Sequence, residues 1–250
     1  MIEKKIYFAS DFHLGVPNYE KSRERENKIV SWLEMAEKDA SEIFLVGDLF
    51  DFWFEYKYTI PKGFTRFLGK LASISDKGIP VHVFTGNHDM WMYDYLEKEI
   101  GVLIHRKPIT RFFSGKQFLI GHGDGLGPGD HKYKFLKKFF ASKLCQWLFA
   151  RIHPNFAFAM ANYFSKSSRA SSGKKDEVFN GEENEWLLIY CKEYVLKEKI
   201  DYFIFGHRHL PLELKVNDHS TYINLGEWLN YSTYAVFENE KIFLKTFELN

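Results

Sequence analysis

Residues 42–51 read Glu-Ile-Phe-Leu-Val-Gly-Asp-Leu-Phe-Asp, an apolar run that ends abruptly in Gly47 and Asp48. A compact run of Ile, Phe, Leu and Val with turn residues behind it predicts a buried β-strand. The same layout, a strand followed at once by His, Asp or Asn, recurs four more times along the chain. The other blocks are Asp11-Phe12-His13 after strand 4–10, Gly86-Asn87-His88-Asp89 after strand 79–84, Gly121-His122-Gly123-Asp124 after strand 117–121 and Gly206-His207-Arg208-His209 after strand 201–205.

Helical patterns alternate with these strands in the first half of the chain. Such alternation predicts right-handed βαβ units and a mostly parallel sheet, and so an α/β fold. Because there is no internal repeat or long low-complexity tract, we expect a single domain over residues 1–250 that carries a helical insert at 131–175. The remaining predicted elements are helices over 20–40, 61–78 and 182–198, strands at 102–105 and 109–113, and consecutive antiparallel strands from 210 onward.

The five blocks contain side chains of the type that bind divalent metals. Ligands collect outside the carboxyl ends of strands in an open α/β sheet, so we expect the blocks to converge. Imidazole, carboxylate and amide oxygen ligands suit Mn, Fe, Zn or Ni, and the lack of thiolates argues against a structural zinc site. Two metal ions are expected, because the candidate ligands exceed the number that one ion uses. The candidates are Asp11, His13, Asp48, Asn87, His122, His207 and His209.

A pair of divalent ions activates water and stabilises charge during the hydrolysis of phosphate esters. In the third block, Asn87 can supply the metal ligand, which leaves the His88 imidazole to assist catalysis. Asp89 is then expected to orient that ring. A single block of this kind is commonly only a turn or a surface pair, so the prediction depends on all five together.

The set of blocks resembles the calcineurin-like metallophosphoesterase superfamily over residues 4–125 and 200–246. The resemblance implies a two-sheet α/β/β/α sandwich. The protein Ser/Thr phosphatases of that superfamily carry Arg-Gly where this chain has Phe52-Trp53. By position, the resemblance assigns one metal to Asp11, His13, Asp48 and His209, and the other to Asp48, Asn87, His122 and His207, so that Asp48 bridges.

Within the superfamily, the chain is similar to the UDP-2,3-diacylglucosamine diphosphatases of lipid A synthesis. The shared features are Gly47-Asp48-Leu49-Phe50 with an aromatic pair behind it, Gly121-His122-Gly123-Asp124, Asp130 and Tyr133 opening a basic insert, and Leu225-Gly226-Glu227-Trp228. The likeness implies hydrolysis of an acylated sugar nucleotide to UMP and acylated glucosamine 1-phosphate, usually with manganese. That family usually has Arg at the position of His88.

The same likeness implies that Asp130 and Tyr133 contact the substrate. We expect the helical insert to act as a lid over that substrate. We also expect Arg169, Lys174 and Lys175, at the end of the basic segment, to bind substrate. Residues 131–175 hold eight Lys and two Arg with no acidic residue, so a net charge of +1 leaves −9 for the rest. Ten aromatic residues lie between 131 and 164.

Three interpretations of this basic, aromatic segment stay open. It can pack on its own domain through an apolar stripe, or it can meet an anionic membrane and shelter acyl chains. It can also form a nucleic-acid groove in which cations meet phosphates and aromatic rings stack on bases. The corresponding functions are a lipid pyrophosphatase, a nucleic-acid phosphodiesterase and, from another class, a metal-binding scaffold without catalysis.

Only two cysteines occur, Cys145 and Cys191, without CxxC spacing, which favours a reducing compartment. The N-terminus lacks the features of a secretory signal, and no apolar run is long enough to span a bilayer. We therefore expect a cytoplasmic protein that binds peripherally to the inner face of the cell membrane.

Overall fold

The computed structural model describes residues 4–129, 131–161, 163 and 178–249, which contain eleven strands and six α-helices. The strands are β1 Lys5–Ala9, β2 Ala40–Val46, β3 Val81–Phe84, β4 Leu103–His105, β5 Ile109–Phe113, β6 Lys116–Ile120, β7 Tyr202–Phe205, β8 Pro211–Lys215, β9 Thr221–Leu225, β10 Thr233–Glu238 and β11 Lys241–Thr246. The helices are α1 Tyr19–Ala36, α2 Thr65–Asp76, α3 His131–Phe140, α4 Lys143–Phe149, α5 at 154–161 and α6 Trp186–Tyr194. A π-helical turn, Leu96–Ile100, and a 3-10 turn, Glu182–Asn184, complete the helical elements.

The strands form two mixed sheets. The first has the order β11-β10-β1-β2-β3-β4, in which β1 to β4 are parallel and β10 and β11 are antiparallel. The second has the order β5-β6-β7-β9-β8, with β6, β7 and β9 parallel and an antiparallel strand at each edge. In both sheets, the strands that carry the predicted metal-ligand blocks are parallel neighbours.

A buried apolar layer lies between the two sheets. Phe8 and Phe44 of the first sheet stack at 5.2 Å, and Phe118 of the second sheet lies 6.1 Å from Phe8. The outer face of the first sheet is covered by α1 and α2, and that of the second by α6. The layers are therefore α/β/β/α, and the predicted α/β sandwich is confirmed.

The C-terminal strands correct one expectation from the sequence. They do not continue as consecutive antiparallel neighbours, since β8 and β9 belong to the second sheet and β10 and β11 to the first. Strand β9 is buried on both faces and pairs along both edges, with β8 on one side and β7 on the other. No edge of β9 is left for β10, which crosses over and pairs with β1 instead.

Helix boundaries differ by a few residues from those predicted. Helix α1 begins at an N-cap in which Asn18 Oδ1 accepts the Lys21 amide at 2.9 Å, and it ends at Ala36 rather than at residue 40. The three residues between Ala36 and the start of β2 at Ala40 turn the chain into that strand. The predicted helix over 182–198 is shorter as well, because a 3-10 turn occupies its start.

The predicted insert begins as three short helices, α3, α4 and α5, rather than one long one. It is anchored on the main fold by Trp91 Nε1, which donates to Phe140 O at 3.0 Å, and by Tyr56 Oη, which donates to Ile152 O at 3.2 Å. That residues 1–250 form one domain with an insert at 131–175 stays a prediction. Among the described residues, no helix combines the length and apolarity that crossing a membrane requires.

Candidate metal centre

All five sequence blocks lie at the carboxyl ends of β1, β2, β3, β6 and β7. Backbone hydrogen bonds join the loops to one another. The amides of Asp11 and His13 donate to Gly47 O and Asp48 O at 3.0 and 2.9 Å, and the Gly206 amide donates to the carbonyl of His122 at 3.0 Å. The side chains predicted to bind metal are thus brought to one place by the backbone.

Two groups of ligand atoms form at this edge. Asp11, His13, Asp48 and His209 offer atoms that all lie within 4.8 Å of one another, and so do Asp48, His122 and His207. Asp48 Oδ2 lies 3.9 Å from His13 Nε2 and 3.3 Å from His122 Nε2, so this one oxygen lies between the two groups.

Asn87 lies beside the second group. Its Oδ1 is 3.3 Å from His122 Nε2, which places an amide oxygen next to that imidazole. The other nitrogen of this ring, His122 Nδ1, donates to Val46 O at 2.9 Å. Because a carbonyl only accepts, Nδ1 carries a proton, and Nε2 is the nitrogen that faces Asn87 and Asp48. Nε2 can bind a metal once its own proton is lost.

The backbone at these residues is unusual. Ten non-glycine residues of the described chain have positive φ, and five of them are predicted ligands. The left-handed region costs an L-residue roughly 1–3 kcal/mol and tends to persist at functional sites. Holding these side chains close to one another therefore costs the folded chain conformational energy. The five are Asp11, His13, Asp48, His207 and His209, with φ of 55°, 43°, 52°, 69° and 55°.

At two positions in the blocks, neighbouring atoms lie so close to the backbone that only glycine fits, although the backbone φ there is ordinary. A Cβ at Gly86 would overlap Asp48 Oδ1 and lie 2.6 Å from the Asp48 amide nitrogen. A Cβ at Gly206 would overlap Asp11 Oδ2, and the neighbouring His207 amide donates to that same oxygen at 3.0 Å. Both carboxylates are thus held against bare backbone.

A buried arginine supports the first block. Arg25 of α1 donates to Phe12 O at 2.7 Å and to His13 O and Val16 O at 2.5 Å each. One guanidinium therefore binds three carbonyls of the loop that presents Asp11 and His13. The sequence pattern did not predict this contact, because an arginine on an amphipathic helix is usually at the surface.

The residues at this edge fit divalent cations. Asp11 Oδ1 and His13 Nδ1 are buried and have no hydrogen bond among the described residues. Burial opposes ionisation of Asp11 and Asp48, but neighbouring histidines outweigh it and hold the pKa of each carboxyl below its ordinary value. Buried carboxylates surrounded by imidazole nitrogens are a typical ligand set for Mn, Fe or Zn.

The pKa values of the two histidines in the second group are shifted in opposite directions. Burial lowers the pKa of His207 to about 4, with a further contribution from His122. His122 is buried too, but the carboxylate of Asp48 outweighs burial and raises its pKa to about 10. Within the protein alone, the positive charge beside Asp48 is therefore a proton on His122, which is the position that a metal cation would take.

His88 is half-buried at the mouth of the cluster. Its ring lies 4.9 Å from that of His13, and its Nδ1 donates to Asp51 O at 3.0 Å. This bond leaves Nε2 as the nitrogen that can face a substrate. The carboxylate of Asp51 lies 3.8 Å from His88 Nδ1 and 3.7 Å from His13 Nδ1. The Gly-Asp-x-x-Asp spacing pointed to Asp51, but the sequence predicted no role for it.

The expected partnership between Asp89 and His88 is absent from the structure. Asp89 is fully buried and accepts the amides of Gly86 and Leu49, both at 2.8 Å, and of Phe50 at 3.3 Å. Its carboxylate therefore ties the loops after β2 and β3 together, and a backbone carbonyl orients the imidazole instead. Burial, with a contribution from Asp48, raises the pKa of Asp89 to about 7.

One of the predicted substrate-binding residues lies beside the cluster. The Tyr133 ring is 6.3 Å from that of His207, and its Oη donates to Asp124 Oδ2 at 2.7 Å. Lys137 Nζ lies 2.6 Å from the same carboxylate oxygen, so α3 is tethered to the fourth block. The other four predicted substrate-binding residues, Asp130, Arg169, Lys174 and Lys175, lie outside the described residues.

An apolar cavity of about 350 Å³ opens from the cluster toward the insert. Asn87 and His88 line one end, and Phe140, Phe149 and Met160 line the other. Such a volume is within the ~300–1,000 Å³ range of small-molecule sites. The wall is built where Phe149 packs 4.8 Å from Phe54 and 4.7 Å from Trp91.

The outer surface of α3 and α4 carries large apolar side chains in solvent. Phe135, Leu144 and Trp147 are each more than half exposed, as are Phe139 and Leu148. Exposed lysines lie among them, and the Arg151 guanidinium covers the Trp147 ring at 3.9 Å. An exposed apolar patch of this kind typically marks an interaction surface.

Comparison with known proteins gives a consistent result. The model of the calcineurin-like phosphoesterase family matches residues 4–211. A UDP-2,3-diacylglucosamine hydrolase of Porphyromonas gingivalis is 38% identical over 259 residues, covering 99% of both chains. A protein of the same name from Histophilus somni is 26% identical over 90% of this chain and 92% of its own. The phosphoesterase Yfce of E. coli aligns over 95% of this chain and 90% of its own with a TM-score of 0.45 and 16% identity, a likeness too distant to decide anything about function.

Proposed function

The chain belongs to the calcineurin-like phosphoesterase family, and we propose that it hydrolyses the pyrophosphate bond of UDP-2,3-diacylglucosamine. The products are UMP and 2,3-diacylglucosamine 1-phosphate. The names of the curated relatives support this substrate, and those relatives align with almost the whole chain.

The observation that carries the proposal is the apolar cavity that opens at the ligand cluster. A pyrophosphate bound beside Asn87 and His88 places its lipid substituent at the entrance of a channel lined by Phe140, Phe149 and Met160. Burial of acyl chains there contributes ~0.8 kcal/mol per methylene, which favours an acylated substrate. A nucleic acid has no alkyl chain to bury in such a channel.

Two divalent cations, which we propose are Mn²⁺, complete the centre. Asp11, His13, Asp48 and His209 would hold one, and Asp48 with Asn87, His122 and His207 would hold the other. When bound, the pair supplies an activated water and stabilises negative charge on the phosphoryl group. Borderline ligands of this kind also accept Zn, Fe or Ni.

The chain itself positions the reacting groups. The Asp51 carbonyl holds the Nδ1–H of His88, so Nε2 of the neutral ring carries a lone pair and can accept a proton. The protonated ring then donates a hydrogen bond from Nε2 to a phosphoryl oxygen or to the departing phosphate. The insert closes the opposite wall, where Lys137 and Tyr133 are fixed on Asp124. Phe140, Phe149 and Met160 of the insert give the acyl chains apolar contacts.

We further propose that the enzyme is cytoplasmic and binds the inner face of the membrane through α3 and α4. Their exposed apolar side chains, together with cations on a segment that contains no acidic residue, suit an anionic lipid surface. An acylated substrate resides in that surface, and residues of both helices line the channel.

The test compares UDP-2,3-diacylglucosamine with the same sugar nucleotide lacking its acyl chains. Because several methylenes are buried at ~0.8 kcal/mol each, kcat/KM should fall at least ~1,000-fold without them. The exposed variant Asp218→Ala serves as the control and should match the parent on both substrates. Equal rates on the two substrates would refute the proposal, as would hydrolysis of DNA or RNA with none of the lipid.

A further inference from the structure

A second cavity, of about 390 Å³, adjoins the apolar one. The two share Met90 and Lys137 in their walls. Each also reaches the ligand cluster, the first at Asn87 and His88 and the second at His122 and Gly86. A ligand that spans both cavities would therefore cross the cluster.

The wall of the second cavity is basic, in contrast to the first. Its cationic lining residues are Arg106, Lys107, Lys137 and Lys143, and the only carboxylate among the described residues of this wall is Asp124. That carboxylate is already paired with Lys137 at 2.6 Å. Arg106 donates to two backbone carbonyls. No carboxylate of the described chain forms an ion pair with Lys107 or Lys143, so the cavity has a positive surplus that suits an anion.

Hydrogen bonds through the buried His82 hold a histidine of this wall, His105, in one tautomer. Glu42 accepts from Arg111 at 2.7 Å and from His82 Nε2 at 3.0 Å. His82 Nδ1 then carries the lone pair and accepts from His105 Nε2 at 2.9 Å. Burial, with the charges of His82 and Arg111, lowers the pKa of His105 to about 4, so its ring is neutral at pH 7.

The hydrogen bonds through His82 leave His105 Nδ1 as a hydrogen-bond acceptor in the same wall as the cationic donors. Thr85 and Gln146 add groups of both kinds to the same wall. Tyr93 lines it too, and its Oη is buried without a hydrogen bond among the described residues. The cavity thus combines cations, an aromatic side chain and mixed hydrogen-bonding groups, which is the chemistry that binds a nucleotide.

We propose that this second cavity binds the nucleotide half of the substrate, with Lys107 and Lys143 attracting its phosphate. The inference rests on the proposed function, in which a pyrophosphate at the cluster carries two unlike substituents. The acylated sugar occupies the apolar cavity, and the uridine monophosphate group occupies the basic one. Specificity for a nucleoside diphosphate sugar over a simple phosphorylated lipid then comes from a distinct part of the site.

The test is equilibrium binding of UMP to the full chain, measured with and without Mn²⁺. The double variant Lys107→Ala/Lys143→Ala should weaken UMP binding roughly tenfold, since a hydrogen bond to a charged group is worth about 1.5 kcal/mol or more. The matched control is Lys62→Ala/Lys241→Ala, which removes two exposed lysines that line neither cavity. Both pairs change only exposed side chains, and their thermal melting should equal that of the parent.

Binding of the lipid product, 2,3-diacylglucosamine 1-phosphate, separates a nucleotide site from a general electrostatic effect. Its affinity should be the same in both double variants. Unchanged UMP affinity in Lys107→Ala/Lys143→Ala would overturn the inference, and so would an equal loss for UMP and the lipid product. If the chain does not hydrolyse UDP-2,3-diacylglucosamine but UMP binding weakens as expected, the proposed substrate is wrong and the nucleotide site stands.

Discussion

Replacement of Asp89 by Asn separates a structural role for this carboxylate from a catalytic one. The side chain is fully buried, with Oδ1 accepting the Gly86 amide and Oδ2 accepting those of Leu49 and Phe50. An asparagine has the same shape but only one oxygen. Whichever way its amide faces, its NH2 group must oppose at least one backbone N–H.

The cheaper orientation keeps the oxygen on Leu49 and Phe50 and leaves the Gly86 amide without an acceptor. A buried donor without a partner costs about 1–3 kcal/mol. For a chain of this length, that loss corresponds to a fall in melting temperature of about 2–12 °C. Because the His88 ring is held by the Asp51 carbonyl, its geometry should survive the change.

The assay pairs urea denaturation with steady-state turnover, and exposed Asp218→Asn is the matched control. We expect Asp89→Asn to lose about 1–3 kcal/mol of unfolding free energy and to keep kcat within about tenfold of the parent at temperatures where it is folded. A variant of parental stability whose kcat falls about 1,000-fold or more would refute this reasoning, because Asp89 would then act on the reaction itself.

Three further substitutions probe the site and its surroundings. His88→Ala should lower kcat by about 10²–10⁴ while metal content, measured by elemental analysis, stays at the parental value; a fall in metal content by half would make His88 a ligand. Cys145→Trp fills the apolar cavity and should lower kcat/KM for the diacylated substrate at least ~100-fold but spare a short aryl phosphodiester, with Cys145→Ser as control. Replacing exposed apolar residues of α3 and α4 with Ser should weaken sedimentation with anionic vesicles at least tenfold, since each loses ~1.5–3 kcal/mol of burial, and unchanged sedimentation would contradict the membrane role. The residues for this last variant are Phe135, Leu144 and Trp147.

The position of the candidate site could be predicted because the sequence shows where each strand ends. An apolar run followed by Gly47-Asp48, or by Gly206-His207, marks both the strand and the point where it stops. Parallel strands bring such points to one edge. The convergence of the five blocks therefore needed no knowledge of the loops between them.

The contacts that support the site could not be predicted from the sequence. Each one joins residues that are far apart in the chain and belong to no recognisable motif. Arg25 reaches back to three carbonyls of the first loop, and Asp89 reaches across to the loop after β2. The left-handed backbone of Asp48 or His209 leaves no trace in composition either, since these residues are not glycines. Their conformation is imposed by the hydrogen bonds between the loops.

The C-terminal strands show a different limit of prediction from the sequence. Alternating residues predict strands after 210, but a period of two does not reveal which sheet each strand joins. The partition between β9 and β10 depends on the free edges of β7 and β1, which are known only once the rest of the fold is formed. The cavities have the same origin, because helices of the insert form their walls.

The central claim, a two-metal centre bridged by Asp48 that cleaves UDP-2,3-diacylglucosamine, is tested most directly by metal titration of the stripped protein. UMP release should rise with added Mn²⁺ and reach its plateau at two equivalents per chain. Asp48→Ala, with the parental fold shown by circular dichroism, should release no UMP at any metal concentration. Full activity at one equivalent, or UMP release by Asp48→Ala at the parental rate, would contradict the account.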